Sequence, residues 1–251
     1  MEISKLVLSA VFVTGCFFIA SCGVKGEKIV LDNGSFIEMV KIPDTDYSLC
    51  TTEIPQDFYK EITGENPSDN KGERLPVEKV SWFDAVVFCN KLSMRYGKTP
   101  VYSVNGVTDP ESWDYIPHKH RAIEEKIMWN KNADGFRLQT NEEFEYCYAA
   151  GKNQLWSGSD DPQQVAWTNA NSNLKSHNVA TLKPNAYGLY DMSGNVNEWT
   201  WVDRDDLNRP YGGGSYFEGA DVCHPSARHY NYGSSQLKTT GFRIACKSVT
   251  E

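Results

Sequence analysis

Basic side chains are nowhere bunched in this chain, and that absence removes a large class of partners. Nucleic-acid binders neutralise phosphates with clustered Lys and Arg, whereas this chain has a formal net charge of −8 and no such cluster. Nucleic acid is therefore not an expected partner. There is no apolar run long enough to span a bilayer comfortably, no low-complexity tract and no obvious internal repeat. The Gly-x-Ser-x-Gly elbow of the α/β-hydrolases is missing, and the scattered Ser, His and Asp residues show no triad spacing. His118-x-His120 lacks a well-spaced third ligand for zinc and reads as a solvated polar loop.

What is present begins with a targeting segment. Lys5 is followed by an apolar run from Leu6 to Ala20, broken only by Ser9, Thr14 and Gly15. A spanning helix needs about 20 apolar residues, so this run fits the apolar region of a secretory signal instead. It ends in Ile19-Ala20-Ser21-Cys22, which resembles the bacterial lipobox. That resemblance implies cleavage before Cys22, a diacylglyceryl group on its thiol, and a place in the bacterial cell envelope; the lipobox leaves the membrane face open, and the outer-membrane surface is the expectation. The expected organisation is a lipoprotein signal over 1–21, a tether over 22–28 and one domain over 29–251. A domain of this length can bury a sizeable core. With 13 Tyr and 7 Trp in the chain, aromatic rings must supply much of that core or of a binding surface.

Secondary-structure signals are uneven. Ile29-Val30-Leu31, the turn Asp32-Asn33-Gly34 and Phe36 to Val40 read as a hairpin. Pro55 to Ile62 reads as a short helix stopped at Gly64. Ser81 with Asp84, and Thr140 with Glu143, look like capping boxes. The apolar stripe Trp82, Ala85, Val86, Cys89, Leu92 follows the first, and Phe144, Cys147, Tyr148 the second, each with polar residues expected on the opposite face. Tyr96 to Asp134 is turn-rich, and Trp156 to Thr250 reads as short strands separated by Gly, Asn and Asp. The pattern predicts an α+β domain with two main helices, small sheets and much irregular structure.

Several blocks resemble the formylglycine-generating enzyme (sulfatase-modifying factor) family. They are Pro76 to Ala85 with Phe88 to Ser93, Gly135 to Tyr146, Asn185 to Trp199, Gly213-Gly214-Ser215-Tyr216 and Gly241-Phe242-Arg243, in family order. Gln139 stands where the family usually has Pro. The resemblance implies a C-type-lectin-like fold. The family's enzymes oxidise a sulfatase Cys using copper held by two thiolates just after the Gly-Gly-Ser-Tyr block. Those positions here are Glu218 and Cys223. A carboxylate is a poor Cu(I) ligand, so no catalytic activity is expected. An exported oxidase of this class is the rival reading, and an envelope structural or assembly factor a third. The resemblance also implies a structural calcium held by Ser193, Gly194, Val196 and Glu198, as hard oxygen ligands suit Ca²⁺. The alternative is that the same loop closes on itself with Glu198 capping backbone amides, and no cofactor is required. The family often bridges its first long helix to its last strand, which here would pair Cys89 with Cys246. Buried free thiols are the preferred alternative.

The segment 201–236 differs in composition. Trp201, Asp203, Arg204, Asp205, Tyr216, Phe217, Glu218, Asp221, His224, His229, Tyr230 and Tyr232 form a palette of rigid aromatic area and adaptable polar groups. It lies between two framework blocks. The arrangement resembles the variable proteins of diversity-generating retroelements, in their treponemal form, which carry hypervariable residues on a lectin-fold scaffold. The resemblance implies a monomeric display protein that binds an external protein or other macromolecule and holds to the membrane through lipid on Cys22.

Overall fold

The computed structural model describes residues 26–203 and 207–248. The signal segment, the lipidation site Cys22, and Arg204 and Asp205 lie outside the described residues. The first elements are β1 (Glu27–Val30), β2 (Phe36–Lys41), β3 (Tyr47–Cys50), α1 (Gln56–Thr63) and α2 (Trp82–Arg95). Then come β4 (Tyr102–Val104), β5 (Ile127–Trp129), β6 (Arg137–Leu138), α3 (Asn141–Ala149), β7 (Ala166–Trp167) and β8 (Ser193–Gly194). The chain closes with β9 (Asn197–Trp199), β10 (Asn208–Gly212), β11 (Arg228–Tyr232), β12 (Thr240–Phe242) and β13 (Ile244–Lys247). Among the described residues no helix is long and apolar enough to cross a membrane.

Five strands form one sheet in the order β1-β2-β3-β13-β6. The β1–β2 turn closes as its residues dictate: Gly34 has φ +83°, and the Asn33 side chain accepts from the Ser35 amide at 2.9 Å. Side chains alternate across this sheet with period two. Met39, Cys50, Ile244 and Cys246 join the core around α2, while Val40, Leu49 and Ala245 join a second core around α3. The sheet is thus a partition with α1 and α2 on one face and α3 on the other.

Both capping boxes form. Ser81 Oγ accepts from the Asp84 amide at 2.9 Å and Asp84 Oδ2 accepts from the Ser81 amide at 2.8 Å. Thr140 and Glu143 repeat the exchange at 3.2 and 2.9 Å, and Arg137 grips the Glu143 carboxylate with two bonds of 2.6 Å. One expectation for α2 is corrected: it has no polar outer face over most of its length. Every residue from Trp82 to Asn90 is buried, because the irregular 96–134 stretch folds over the side away from the sheet. Asn90 holds that cover by donating to the Tyr102 and Thr108 carbonyls at 2.7 and 2.8 Å. His118 is corrected with it. Its side chain is 8% exposed and lies 3.4 Å from Asp84, so it is packed rather than solvated.

Cys50, Cys89, Cys147, Cys223 and Cys246 are all free and buried. Cys89 and Cys246 share a core but form no bridge.

Candidate functional site

A second sheet, ordered β11-β10-β9-β12, carries the C-terminal segment. Its inner strand β9 is Asn197-Glu198-Trp199, buried throughout. Trp199 Nε1 donates to the Val80 carbonyl at 2.9 Å, tying β9 to the start of α2. Glu198 is ion-paired with Arg243 at 2.7 Å with both side chains essentially out of water. Arg243 also donates to the Cys50 and Tyr190 carbonyls at 3.1 and 2.7 Å. A charge buried this deeply is tolerable only when paired and hydrogen-bonded, and Arg243 meets that condition while joining four chain segments.

The same pair decides the calcium question. Both Glu198 oxygens accept from Arg243, and Oε2 also accepts from Gln139 Nε2 at 2.6 Å. The guanidinium and the Gln139 amide already take both oxygens that Glu198 would offer a dication. The donor set Ser193, Gly194, Val196 and Glu198 therefore does not fit calcium. The alternative in which Glu198 caps backbone amides is corrected too, since its partners are side chains.

The copper positions do not fit either. Glu218 Oε2 accepts from Asn197 Nδ2 at 2.9 Å and from Ser215 Oγ at 2.8 Å. It acts as a brace between β9 and the glycine turn. Cys223 is fully buried, and burial, with the Glu218 charge nearby, pushes its thiol up to about 12. Gly214, at φ +78°, lies so close to Cys223 that a Cβ would collide with it. A protonated thiol and a braced carboxylate are not a pair of soft anionic ligands.

Around this frame the β10–β11 hairpin sorts its residues by alternation. The register pairs Asn208 with Tyr232, Pro210 with Tyr230 and Tyr211 with His229. On the inner face, Tyr211 meets Trp199 edge-on at 5.1 Å, His229 tilts against Tyr211 at 5.4 Å, and Arg209 lies 4.4 Å over Trp82. On the outer face Tyr230 and Tyr232 are 49% and 62% exposed. Asn208 shares that face, and Leu207 just before it is exposed. Phe217, Asp203, Asp221 and His224 are also exposed.

The structure therefore divides the twelve residues singled out in the sequence. Tyr230, Tyr232, Phe217, Asp203, Asp221 and His224 are displayed, Glu218 is half-buried in its brace, and Arg204 and Asp205 are outside the described residues. Three are corrected. Trp201 is 6% exposed, stacked 4.8 Å from Tyr102 and against Trp82 and Trp129. Tyr216 is equally buried, with its hydroxyl on the Lys238 carbonyl. His229 faces inward. Composition marked all three, but strand alternation and the adjacent core decide their direction. Leu207 and Asn208 were not anticipated; the register that sets Asn208 opposite Tyr232 is the signal that finds Asn208, while Leu207, just before β10, is marked by its exposure alone. A cleft of about 260 Å³ opens beside the hairpin, floored by Phe83, Ile127 and Trp201 and rimmed by Asp203, Arg209 and Glu125.

A partitioning sheet flanked by helices, a second small sheet and long loops pinned by a buried Glu–Arg pair define a C-type-lectin-like domain of the formylglycine-generating type. The chain belongs to the sulfatase-modifying factor enzyme 1-like domain family, which matches residues 10–248. It is 30% identical over 223 residues to the chaperone protein LppX of Paenibacillus barcinonensis, covering 78% of each chain. Among solved structures it resembles Treponema denticola variable protein 1, with a TM-score of 0.78 and 29% identity over 89% of this chain and 99% of that one. CarF superposes with a TM-score of 0.66 and 26% identity, over 81% and 87% of the two chains. PvdO of Pseudomonas aeruginosa, at 16% identity and a TM-score of 0.62 over 89% and 98%, shares the fold.

Proposed function

We propose that this chain is a non-catalytic, lipid-anchored display protein of the bacterial envelope, monomeric, binding an external macromolecule through a C-terminal surface that tolerates diversification. The observation that carries this reading is the separation of roles within one segment. The inner face of β10–β11 is fixed by Trp82, Trp199 and Arg209, while Tyr230, Tyr232, Phe217 and Leu207 stand in solvent. Large exposed rings on a rigid base are what a recognition surface needs, since Tyr offers contact area at low entropic cost. The likeness to Treponema denticola variable protein 1 supports the same reading. Against the oxidase reading stand Glu218 and the protonated, buried Cys223.

A second reading rests on the similarity to LppX: an envelope chaperone of the same fold whose surface grips one dedicated client. The two differ in whether the displayed residues are free to change.

Anchor and exposure are tested in cells fed radioactive palmitate and then shaved with protease. Label that is lost in Cys22→Ser, with cleavage of the domain on intact cells, supports the reading. An unlabelled or fully protected chain contradicts it.

A further inference from the structure

The cleft of about 260 Å³ beside the hairpin is built from two parts of the chain. One wall, Trp201 to Asp203 with Leu207, belongs to the C-terminal segment; the other, Phe83 with Ile123 to Ile127, lies outside it. The floor is apolar and packed from below. Phe83, Ile123, Ile127 and Trp201 are only 2 to 8% exposed, whereas Leu207 at the edge is 52% exposed. Both walls are fixed. Ile127 pairs with Val104 in the β4–β5 ladder, Phe83 lies in the first turn of α2, and the Trp82 amide beside it donates to the Gly233 carbonyl at 2.9 Å. The cleft is therefore preformed. Its volume falls below the about 300–1,000 Å³ of small-molecule sites, so it suits one bulky side chain rather than a whole small ligand.

Charge around the cleft narrows the occupant. Glu124, Glu125 and Asp203 border it and are exposed, and among the described residues no cation or hydrogen-bond donor takes their carboxylates. The two basic residues of the lining are already engaged: Arg209 lies 4.4 Å over the Trp82 ring, and Lys126 is not free either. An apolar floor beside three unpaired carboxylates matches an apolar side chain with positive charge next to it. Trp201, on the floor, also keeps an indole N–H that is out of water and finds no acceptor in the protein. A buried donor left in this state costs free energy, which an acceptor carried in by a ligand relieves.

We propose that this cleft is the anchor site for a basic segment of the partner protein. One bulky apolar side chain of that segment seats on Phe83, Ile127 and Trp201, and Lys or Arg side chains flanking it meet Glu124, Glu125 and Asp203. The proposal takes from the reading above only that this face meets a partner protein. Apolar burial supplies the grip, and the carboxylates select the sign of the partner's charge. Because one wall lies outside 201–236, that half of the grip is unchanged when the segment changes. Different partners therefore share an apolar side chain flanked by basic residues.

The test uses the mature chain from residue 22 with Cys22→Ser, which keeps it in solution. Three capped tripeptides are titrated into it: acetyl-Lys-Tyr-Lys-amide, acetyl-Lys-Ala-Lys-amide and acetyl-Glu-Tyr-Glu-amide. The methyl NMR signals of Ile123 and Ile127 report on the cleft. The Lys-Tyr-Lys peptide is expected to shift both signals saturably. The Lys-Ala-Lys peptide should bind more weakly by about tenfold or more, the worth of burying one apolar side chain, and the Glu-Tyr-Glu peptide should not compete. Glu124→Gln/Glu125→Gln/Asp203→Asn is expected to weaken the first peptide about tenfold, as an exposed ion pair contributes up to about fivefold. Asp44→Asn/Asp46→Asn/Glu73→Gln, which removes the same charge at exposed positions outside the cleft, is expected to leave it unchanged. Val202→Trp, from a half-buried wall position, fills the cleft and gives a second lesion. Equal binding of the three peptides, unmoved isoleucine signals, or equal loss in the two triple variants overturns the proposal. Such a failure leaves Tyr230 and Tyr232 as a display surface, whereas a segment 201–236 that never varies removes the display reading and leaves the cleft as it is.

Discussion

Arg243 donates to both carboxylate oxygens of Glu198 at 2.7 to 3.2 Å, across 45 residues of chain and with neither side chain in contact with water. The pair fastens β9, in the sheet that carries the C-terminal surface, to the link between β12 and β13. Removing one partner leaves the other buried and uncompensated, which costs about 3–5 kcal/mol. Glu198→Gln and Arg243→Leu are each expected to lower stability by that amount in urea unfolding. The double replacement by apolar residues should cost less than the sum. Additive losses would show that the two groups act independently.

Glu53 and Asp191 sit beside this pair without the partners it enjoys. Both Glu53 oxygens and Asp191 Oδ1 are buried with no hydrogen bond. Burial pushes Asp191 up to about 6, and Glu53 upward as well, each aggravated by neighbouring carboxylates. A folded-state value above the unfolded one means that the proton stabilises the fold. That stabilisation is complete below about pH 4 and is lost as pH rises through about 6. Asp191→Asn is therefore expected to stabilise the protein at pH 7–8, by on the order of 1–3 kcal/mol, and to flatten its stability between pH 4 and 7. The Asp191 oxygen that accepts from the Ala180 amide at 2.8 Å has an equivalent in Asn. Thermal unfolding against pH measures the effect, and destabilisation by the Asn variant at pH 7 would contradict it.

Side chains of the same segment are expected to respond in opposite ways. Tyr230→Ala and Tyr232→Ala remove exposed rings and should change stability by less than about 0.5 kcal/mol. Trp201→Ala empties a position stacked against Tyr102, Trp82 and Trp129 and should cost about 3–5 kcal/mol. Urea denaturation of the three variants checks the division between display and frame.

The thiols offer a chemical check. Cys89, Cys147 and Cys223 are buried, with burial as the first cause raising Cys147 and Cys223 to about 12 and Cys89 further. They are expected to resist iodoacetamide in the folded protein at pH 8 and to react once it is unfolded without reductant. A Cys89–Cys246 peptide recovered under non-reducing conditions would contradict the free-thiol core. Tight Cu(I) binding by the purified protein would reopen the oxidase reading.

The parts of this fold that announce themselves in sequence are local. Ser81 with Asp84, Thr140 with Glu143, and Asp32-Asn33-Gly34 each complete their hydrogen bonds within four residues, so spacing alone reveals them. What stayed hidden depends on contacts between distant segments. The burial of α2 on all sides from Trp82 to Asn90 comes with the loop that Asn90 pins, which no periodicity in α2 encodes. The Glu198 partner is Arg243, and its presence displaces the calcium reading that the loop motif suggested. In the C-terminal segment, composition identified a recognition palette but not its direction. Once the register pairs Tyr211 with His229, alternation sends His229 inward and Tyr230 and Tyr232 outward. The neighbouring aromatic core claims Trp201 and Tyr216.

That division yields the measurement that tests the display reading most directly: the sequence of this locus in several independent isolates. The account predicts substitutions concentrated within 201–236 at outward positions, among them Asn208, Phe217, Tyr230 and Tyr232. Trp199, Arg209, Tyr211, Gly214 and Cys223 should remain unchanged, with a near-copy template and a reverse transcriptase gene nearby. A uniform segment, or substitutions spread equally over inward and outward positions, would contradict it.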